Sequence, residues 1–534
     1  MKNTQFRRAA AALAVLALLM AGICPAFSLA ETVESGLLRT AVLYDISTLD
    51  VARTSDDYLV PMNVFDRLFE TRVTDGTAQV VKSLCEDWSL SPDGLTYAFT
   101  LRDGILFSNG ERLTAEDVRF TFERLLRIGD QNTDIPLEVL GGRALLNHEA
   151  DRLEGFRVQD DLHFTITLEN PNAGFLAELS SPAMSIVDME SMTEDFGREV
   201  SAAIGTGPYR ITEWVPNDHF TLEYRADFWG ETPSVKKLVV RVIPEAGTQN
   251  LMFQNGELDL LDLKSMDSAI VSGLYKTRYA SRIVSAPHVG MTFMALNENQ
   301  AYLKDVRVRK AIGMALDVDT LIRSLYDGDA VPEKGIIPTG VWGYNPDLEG
   351  FSYDPQGAAK LLEEAGYAPG EVRFELCVDN ASTGTTQLLA QAIRQMLGQA
   401  GIEAELTYHD HAAWLDRRIS GKMDAFLGTW GMDYNDPANI MYTFFGNEQN
   451  TAQRSLNYPD TEVMERVAAA RAIADDTARE AEYRALEKKI IQEDAAWIPL
   501  LEEMHLYCMG ERVVRFTPQW AGYSDFYVTD VVLK

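Results

Sequence analysis

The chain has 534 residues, with 80 Asp or Glu against 48 Lys or Arg, for a formal net charge of −32. At 46% hydrophobic and 10% aromatic it carries enough apolar material for a large globular fold, which excludes disordered and fibrous architectures. The acidic excess argues against a nucleic-acid partner, because that binding runs on clustered Lys and Arg, and it suits a neutral or cationic ligand.

The first thirty residues read as an export signal rather than as part of the fold. Lys2, Arg7 and Arg8 form a basic start, and Ala9 to Ile23 is an apolar run of fifteen residues. That run is short for a membrane span, which needs roughly 18 or more, and right for a secretory segment. Ser28-Leu29-Ala30 offers small residues at the two positions a signal peptidase reads, so cleavage is expected after Ala30. The rival readings are acylation on Cys24, against which Ile23 and Pro25 speak, and an uncleaved anchor. No later stretch approaches a transmembrane length, so the mature chain is expected to work outside the cytoplasm. Cys85, Cys377 and Cys508 lack any short spacing and are read as buried thiols, with one disulfide as the alternative.

Enzyme motifs are missing. His148-Glu149 begins a zinc-protease pattern, but Arg152 stands where the second His belongs. Gly205-Thr206-Gly207 lacks the rest of a dinucleotide fingerprint, and no G-x-S-x-G or Walker A loop occurs. Ser234-Val235-Lys236-Lys237 has the S-x-x-K form of penicillin-recognising enzymes, without the K-T-G or S-D-N that should accompany it. His409-Asp410-His411 has the right residue types for a divalent metal, and equally suits a polar loop after a strand. No metal or cofactor is expected.

The most legible stretch is 354 to 445. Asp354 caps a helix, Pro355 takes its first turn, Ala358, Leu361, Leu362 and Ala365 keep helical spacing, and Gly366 stops it. Val372, Phe374 and Leu376 alternate as a strand. A second helix runs through Leu388 to Leu397, Ile402 to Leu406 alternate again, a short helix covers 412–420, and a last strand spans 424–430. Such alternation predicts a parallel sheet whose strands end on one edge. Open α/β sheets bind ligands beyond that edge, so the loops 379–384, 409–411 and 431–436 are where function is sought. The loop Thr54-Ser55-Asp56-Asp57-Tyr58 before an apolar helix, and the loop-like aromatics Trp342, Tyr344, Trp430 and Tyr434, complete the candidates. The charged helix 481–492 reads as a solvated face.

Four segments make the chain resemble the peptide/nickel family (family 5) of extracytoplasmic solute-binding proteins. They are Trp88-Ser89-Leu90-Ser91-Pro92-Asp93-Gly94 with Leu101-Arg102-Asp103-Gly104 and Leu113-Thr114-Ala115-Glu116-Asp117-Val118; Gly205-Thr206-Gly207-Pro208-Tyr209 with Phe228-Trp229-Gly230; Asp305-Val306-Arg307-Val308-Arg309-Lys310-Ala311; and Trp430-Gly431-Met432-Asp433-Tyr434-Asn435-Asp436-Pro437. The resemblance implies a two-lobed α/β fold of the periplasmic-binding-protein type, with a hinge and an extra domain on the first lobe. It places lobe I at 31–50, 185–270 and 485–534, the extra domain at 51–184, and lobe II, with the parallel sheet, at 271–484.

It also implies a monomeric receptor of an ATP-driven (ABC) importer that holds a small peptide between the lobes and hands it to permease subunits. A metal chelate or an oligosaccharide on the same scaffold is the alternative, and a serine-type peptidase the alternative of another class. In peptide-binding members an acid in the fourth motif pairs with the peptide amine, and Asp433 stands there. Dipeptide-specific members carry an Arg after the first of the parallel strands. Segment 378–384 has neither Arg nor Lys, so a longer or uncharged C-terminal end is expected. A Trp of peptide binders is replaced here by His411. The candidate contacts are Asp433, Trp430, Tyr434, His411, Asn380 and Trp342, with Thr54, Ser55 and Tyr58 from the other lobe.

Overall fold

Strand Gly290–Leu296 is buried at every position, as a strand covered on both faces must be. Met294 and Leu296 enter one apolar cluster, Phe293 and Ala295 another, so the period of two divides the strand between two layers. The structure, a computed structural model, describes residues 34–534 except 55–56, 75–76, 131, 194–195, 265, 383, 519 and 521–525. The expected signal segment, Cys24 and Ser55 therefore lie outside the described residues.

Strand Ala425–Gly431 pairs antiparallel with Gly290–Leu296, and beyond it the sheet turns parallel. Arg373–Asp379 lies parallel to both Ala425–Gly431 and Glu403–His409, with Asp379 opposite His409. Local chemistry sets the helices between them. The Asp354 carboxylate accepts from the Gly357 N–H at 2.8 Å, Pro355 opens helix Pro355–Glu364, and Gly366 leaves it at φ +95°. Helices Gly384–Gln399 and His411–Ile419 make the two crossovers.

Trp497–Met509 runs through both lobes. Its first half pairs with Gly290–Leu296 and Ala330–Pro332, its second half with Ile283–Pro287 and Leu260–Asp262. The chain therefore crosses between lobes beside this strand at 287–290 and within it near 501–504. Val289, at the first crossing, has φ +52°, a strained conformation for a β-branched residue. The Glu502 carboxylate, at the second crossing, accepts the Val289 N–H at 2.9 Å and holds that backbone in place.

The first lobe is a four-stranded sheet in the order Leu37–Val42, Lys237–Val242, His219–Tyr224, Tyr209–Val215. Its core takes Phe220 and Val240 together with Tyr507, Phe516 and Leu533 from the C-terminal segment. A separate antiparallel sheet, in the order Cys85–Leu90, Thr96–Leu101, His163–Thr167, Phe156–Val158, packs with helix Ala115–Ile128 around its own core, which is the extra domain of a two-lobed binding-protein fold. Gly205 and Gly207 lie where the lobe and this domain meet. A Cβ on Gly207 would come within 2.7 Å of the Val64 carbonyl, and Arg225 donates to the carbonyls of Gly205 at 2.9 Å and Gly207 at 3.3 Å. That motif is a backbone-packing junction, not a nucleotide loop. Cys85, Cys377 and Cys508 are buried free thiols. Among the described residues no helix is long and apolar enough to cross a membrane.

Candidate functional site

Asn439 organises the fourth motif. Pro437 starts helix Ala438–Phe445, which places the Asn439 amide under the loop before it. Asn439 Oδ1 accepts from Trp430 Nε1 at 2.9 Å, and its Nδ2 donates to Asp433 Oδ2 at 3.0 Å. One side chain thus fixes both the indole and the carboxylate. Asp433 is exposed, yet the protein around its carboxyl is the largest influence on it, pushing its pKa up against the Asn439 hydrogen bond. The two observations agree only if the carboxylate lines a recess that water enters and protein walls enclose. Asp134, on a segment of the extra domain, has the same character, and its charge raises Asp433 further. The two carboxylates repel one another, and although Arg454 acts on Asp134, no cation is among the influences on Asp433, an arrangement that suits a cationic group.

A network beside this recess joins the extra domain to the second lobe. Arg471 donates to Glu138 and, at 3.4 Å, to Glu178, while its backbone carbonyl accepts from Ala173 at 2.7 Å. Arg471 also lies 4.6 Å from the Tyr442 ring centroid. Its charge is balanced by Glu138. Glu178, buried and next to that second carboxylate, is pushed up to about 8, by burial first and then by the Glu138 charge. Next to this network, Arg479 pairs with Asp436 and stacks 4.1 Å from the Trp342 ring centroid. Arg471→Lys keeps the charge and loses the fork that reaches two acids. It is expected to lower Tm by about 2 °C in differential scanning calorimetry.

A model of the bacterial extracellular solute-binding proteins, family 5 Middle, matches residues 79–452. The chain belongs to this family. Its relatives include the probable D,D-dipeptide-binding periplasmic protein DdpA of Escherichia coli, 26% identical over 88% of this chain and 89% of that protein. Heme-binding protein A of Haemophilus influenzae is also 26% identical, over 88% of this chain and 87% of its own length. Among solved structures, the periplasmic binding protein DppA of Helicobacter pylori, in complex with the peptide STSA, superposes with a TM-score of 0.71 at 25% identity, covering 93% of this chain and 98% of that one. This solute-binding protein is accordingly extracytoplasmic.

Within the family 5 fold, the residues singled out from sequence fall into three groups. Asp433, Trp430 and Tyr434 share the loop that Asn439 organises, and Trp342 adjoins it, its backbone N–H donating to Asn435 Oδ1 at 2.8 Å. Asn380 and His411 stand on the edge of the parallel strands. His411 is exposed as the first residue of its helix, with Nδ1 at 2.6 Å from Asp379, while Asp410 caps that helix. The His-Asp-His run is therefore a helix start tied to a neighbouring strand. Thr54 and Tyr58 are buried, with Thr54 Oγ1 bonded to the Asp57 carbonyl at 3.2 Å, so in this conformation neither presents a face to the recess. Ser234 is a pin for the C-terminal strand: its hydroxyl donates to the Val531 carbonyl and accepts from the Leu533 N–H, both at 3.0 Å.

Sequence reading missed Asn439, Asp134 and Arg471. Asn439 had a signal, the Asp436-Pro437 helix start that puts a polar side chain back under the loop. Asp134 and Arg471 had none, because each acquires its meaning from a segment several hundred residues away.

Proposed function

We propose that this solute-binding protein captures oligopeptides between its lobes and delivers them to the permease of an ATP-driven importer, without catalysing a reaction. One observation carries the reading: Asp433, enclosed yet reachable by water, is held by Asn439 beside Trp430 and is raised rather than stabilised by its charged neighbour Asp134. A peptide ammonium supplies the missing positive charge, and the Trp430 and Tyr434 rings wall the first residue. The peptide complex of the Helicobacter pylori relative supports the choice of ligand class. The remaining contacts proposed are His411, Asn380 and Trp342, with the loop Thr54–Tyr58, including Ser55, joining only if closure rearranges it. The lobe limits proposed are 31–50, 185–270 and 485–534 for lobe I, 51–184 for the extra domain and 271–484 for lobe II; the apolar clusters depart from them at the edges, grouping Leu59 to Phe65 with the core of lobe I and Leu486 to Leu501 with the cores of lobe II.

Mass spectrometry of small molecules released from protein purified without denaturation tests the function. Short peptides at near-stoichiometric amounts are the expected result. A haem, a metal chelate or a sugar in their place would sink the peptide assignment and leave the transport-receptor assignment standing.

A further inference from the structure

Arg454 follows helix Glu448–Gln453 as its C-terminal cap residue, on the wall that also carries Trp430. Its guanidinium carbon lies 5.1 Å from the Trp430 ring centroid and 5.1 Å from that of Phe444. Among the described residues no carboxylate comes within ion-pair distance of it, and the charges that bear on it are a second arginine, Arg418, and, with the smaller influence, Asp134. Arg418 sits 5.7 Å from the Trp414 ring centroid. Arg418 Nε and Trp414 Nε1 are buried without an acceptor among the described residues.

Arginine and tryptophan side chains only donate. This patch of the wall therefore presents the Arg418 Nε–H and the Trp414 indole N–H with no acceptor among the described residues, beside the Arg454 guanidinium. Stacking on Trp430 and Phe444 accounts for where Arg454 is held. It does not account for leaving a second guanidinium beside it without an anion. Burial, followed by the charge of Arg418, pushes Arg454 down to about 10, against the weaker opposing influence of Asp134. The other enclosed charges of the wall normally have partners: Arg471 has Glu138 and Arg479 has Asp436.

We infer that Arg454, backed by Arg418, receives a carboxylate of the bound peptide. The inference rests on the peptide reading and gives it a second anchor. Asp134 acts electrostatically on Asp433 and on Arg454 alike, so the ammonium site and the carboxylate site flank one acidic residue in one recess. The planar guanidinium fork matches a carboxylate with two parallel N–H···O bonds. The carboxylate function that 378–384 lacks is thereby supplied by another element, the end of helix Glu448–Gln453. The carboxylate comes from the peptide's C-terminus or from an Asp or Glu side chain, and the two sources are separable.

The test uses the mature protein and equimolar libraries of di- to pentapeptides, retention being read by native mass spectrometry. One library has free C-termini, one is fully amidated, and one is amidated but carries Asp or Glu at every position in turn. Wild type is expected to favour the free-acid library over the amidated one by roughly 10- to 100-fold, the range for one charge-assisted hydrogen bond. Retention of the acidic amidated library at the same level assigns the site to side-chain carboxylates instead. Arg454→Gln is expected to erase the preference and Arg454→Lys to restore part of it, a ratio that loss of packing alone does not move. Equal retention of free-acid and fully amidated peptides by wild type, or an unchanged preference in Arg454→Gln, overturns the carboxylate site and leaves the peptide reading intact. A wild type that retains no library removes the peptide reading, and this inference with it.

Discussion

Asp433→Asn is expected to weaken binding of tri-alanine with a free amine by roughly 10- to 100-fold while leaving N-acetylated tri-alanine unchanged, as measured by isothermal titration calorimetry. The raw attraction between an ammonium and a carboxylate at ~4 Å is about 4 kcal/mol at an effective dielectric of 20. Stripping water from both charges takes back part of it, leaving about 1.5–3 kcal/mol for a charge-assisted hydrogen bond. Part of the desolvation of Asp433 is met by the surrounding protein, which is the leading influence on its carboxyl. An arriving cation therefore meets a carboxylate that is prepared for it. Asparagine preserves the shape and keeps a carbonyl that accepts from Asn439, so the loop and Trp430 stay in place and only the charge is lost.

The pH dependence of that binding has a definite sign. Asp433 has a raised pKa, so it takes up a proton at a higher pH than an ordinary Asp, and the protonated acid no longer attracts an ammonium. Affinity for the free-amine peptide is expected to fall as pH drops into the acid range, and affinity for the acetylated form to stay level. Equal affinities for the two forms at neutral pH would remove Asp433 from the proposed site.

The sequence made the βαβ run legible because its punctuation is local. Asp354, Pro355 and Gly366 fix one helix through cap, first-turn and stop chemistry, and the alternation through Phe374 and Leu376 fixes the strand after it. The edge on which Asp379, His409 and Gly431 end follows from parallel pairing alone. Aromatic and acidic residues of the fourth motif could be placed in one loop for the same reason. Asp134, Arg454 and the Arg471 network could not, since their roles depend on which distant surface faces them. Thr54 and Tyr58 show the opposite failure. A polar loop before an apolar helix reads as a ligand-facing element, yet the loop closes on itself, with the Tyr58 hydroxyl donating to the Thr54 carbonyl at 3.3 Å. Nor does the sequence show that Glu333 and Glu502, 169 positions apart, are buried as neighbours beside the lobe crossing.

Those two glutamates lead to the second large effect. Both are buried, Thr339 donates its hydroxyl to Glu502, and the charges that bear on Glu333 most are the acidic Glu502 and Glu487. Burial raises both carboxyls, Glu502 to about 7 and Glu333 well above its ordinary range. Burial and the neighbouring Glu502 charge both favour the protonated form of Glu333, while Glu502 in turn steadies the strained Val289 backbone. A folded pKa above the unfolded one gives stability that is full below about pH 4.5 and lost as pH rises through the folded value. Glu487, raised to about 7, and Glu298, raised to about 7, act in the same sense. The neighbouring histidines oppose them: His288 is lowered to about 4 and His505 to about 2, chiefly by burial, so their contribution is present above about pH 6.5 and lost on acidification. Above neutrality His288 and His505 are neutral in both states, and the raised carboxyls, with Glu178 at about 8 among them, lead the slope. Tm is therefore expected to fall between about pH 6.5 and about pH 8.5, with one excess proton on the folded chain corresponding to about 1.4 kcal/mol per pH unit. Glu333→Gln retains a donor toward Glu502 without a proton to lose. Its Tm should decline by a visibly smaller amount over the same interval, and a slope equal to wild type would show that no shared proton sits at the lobe crossing.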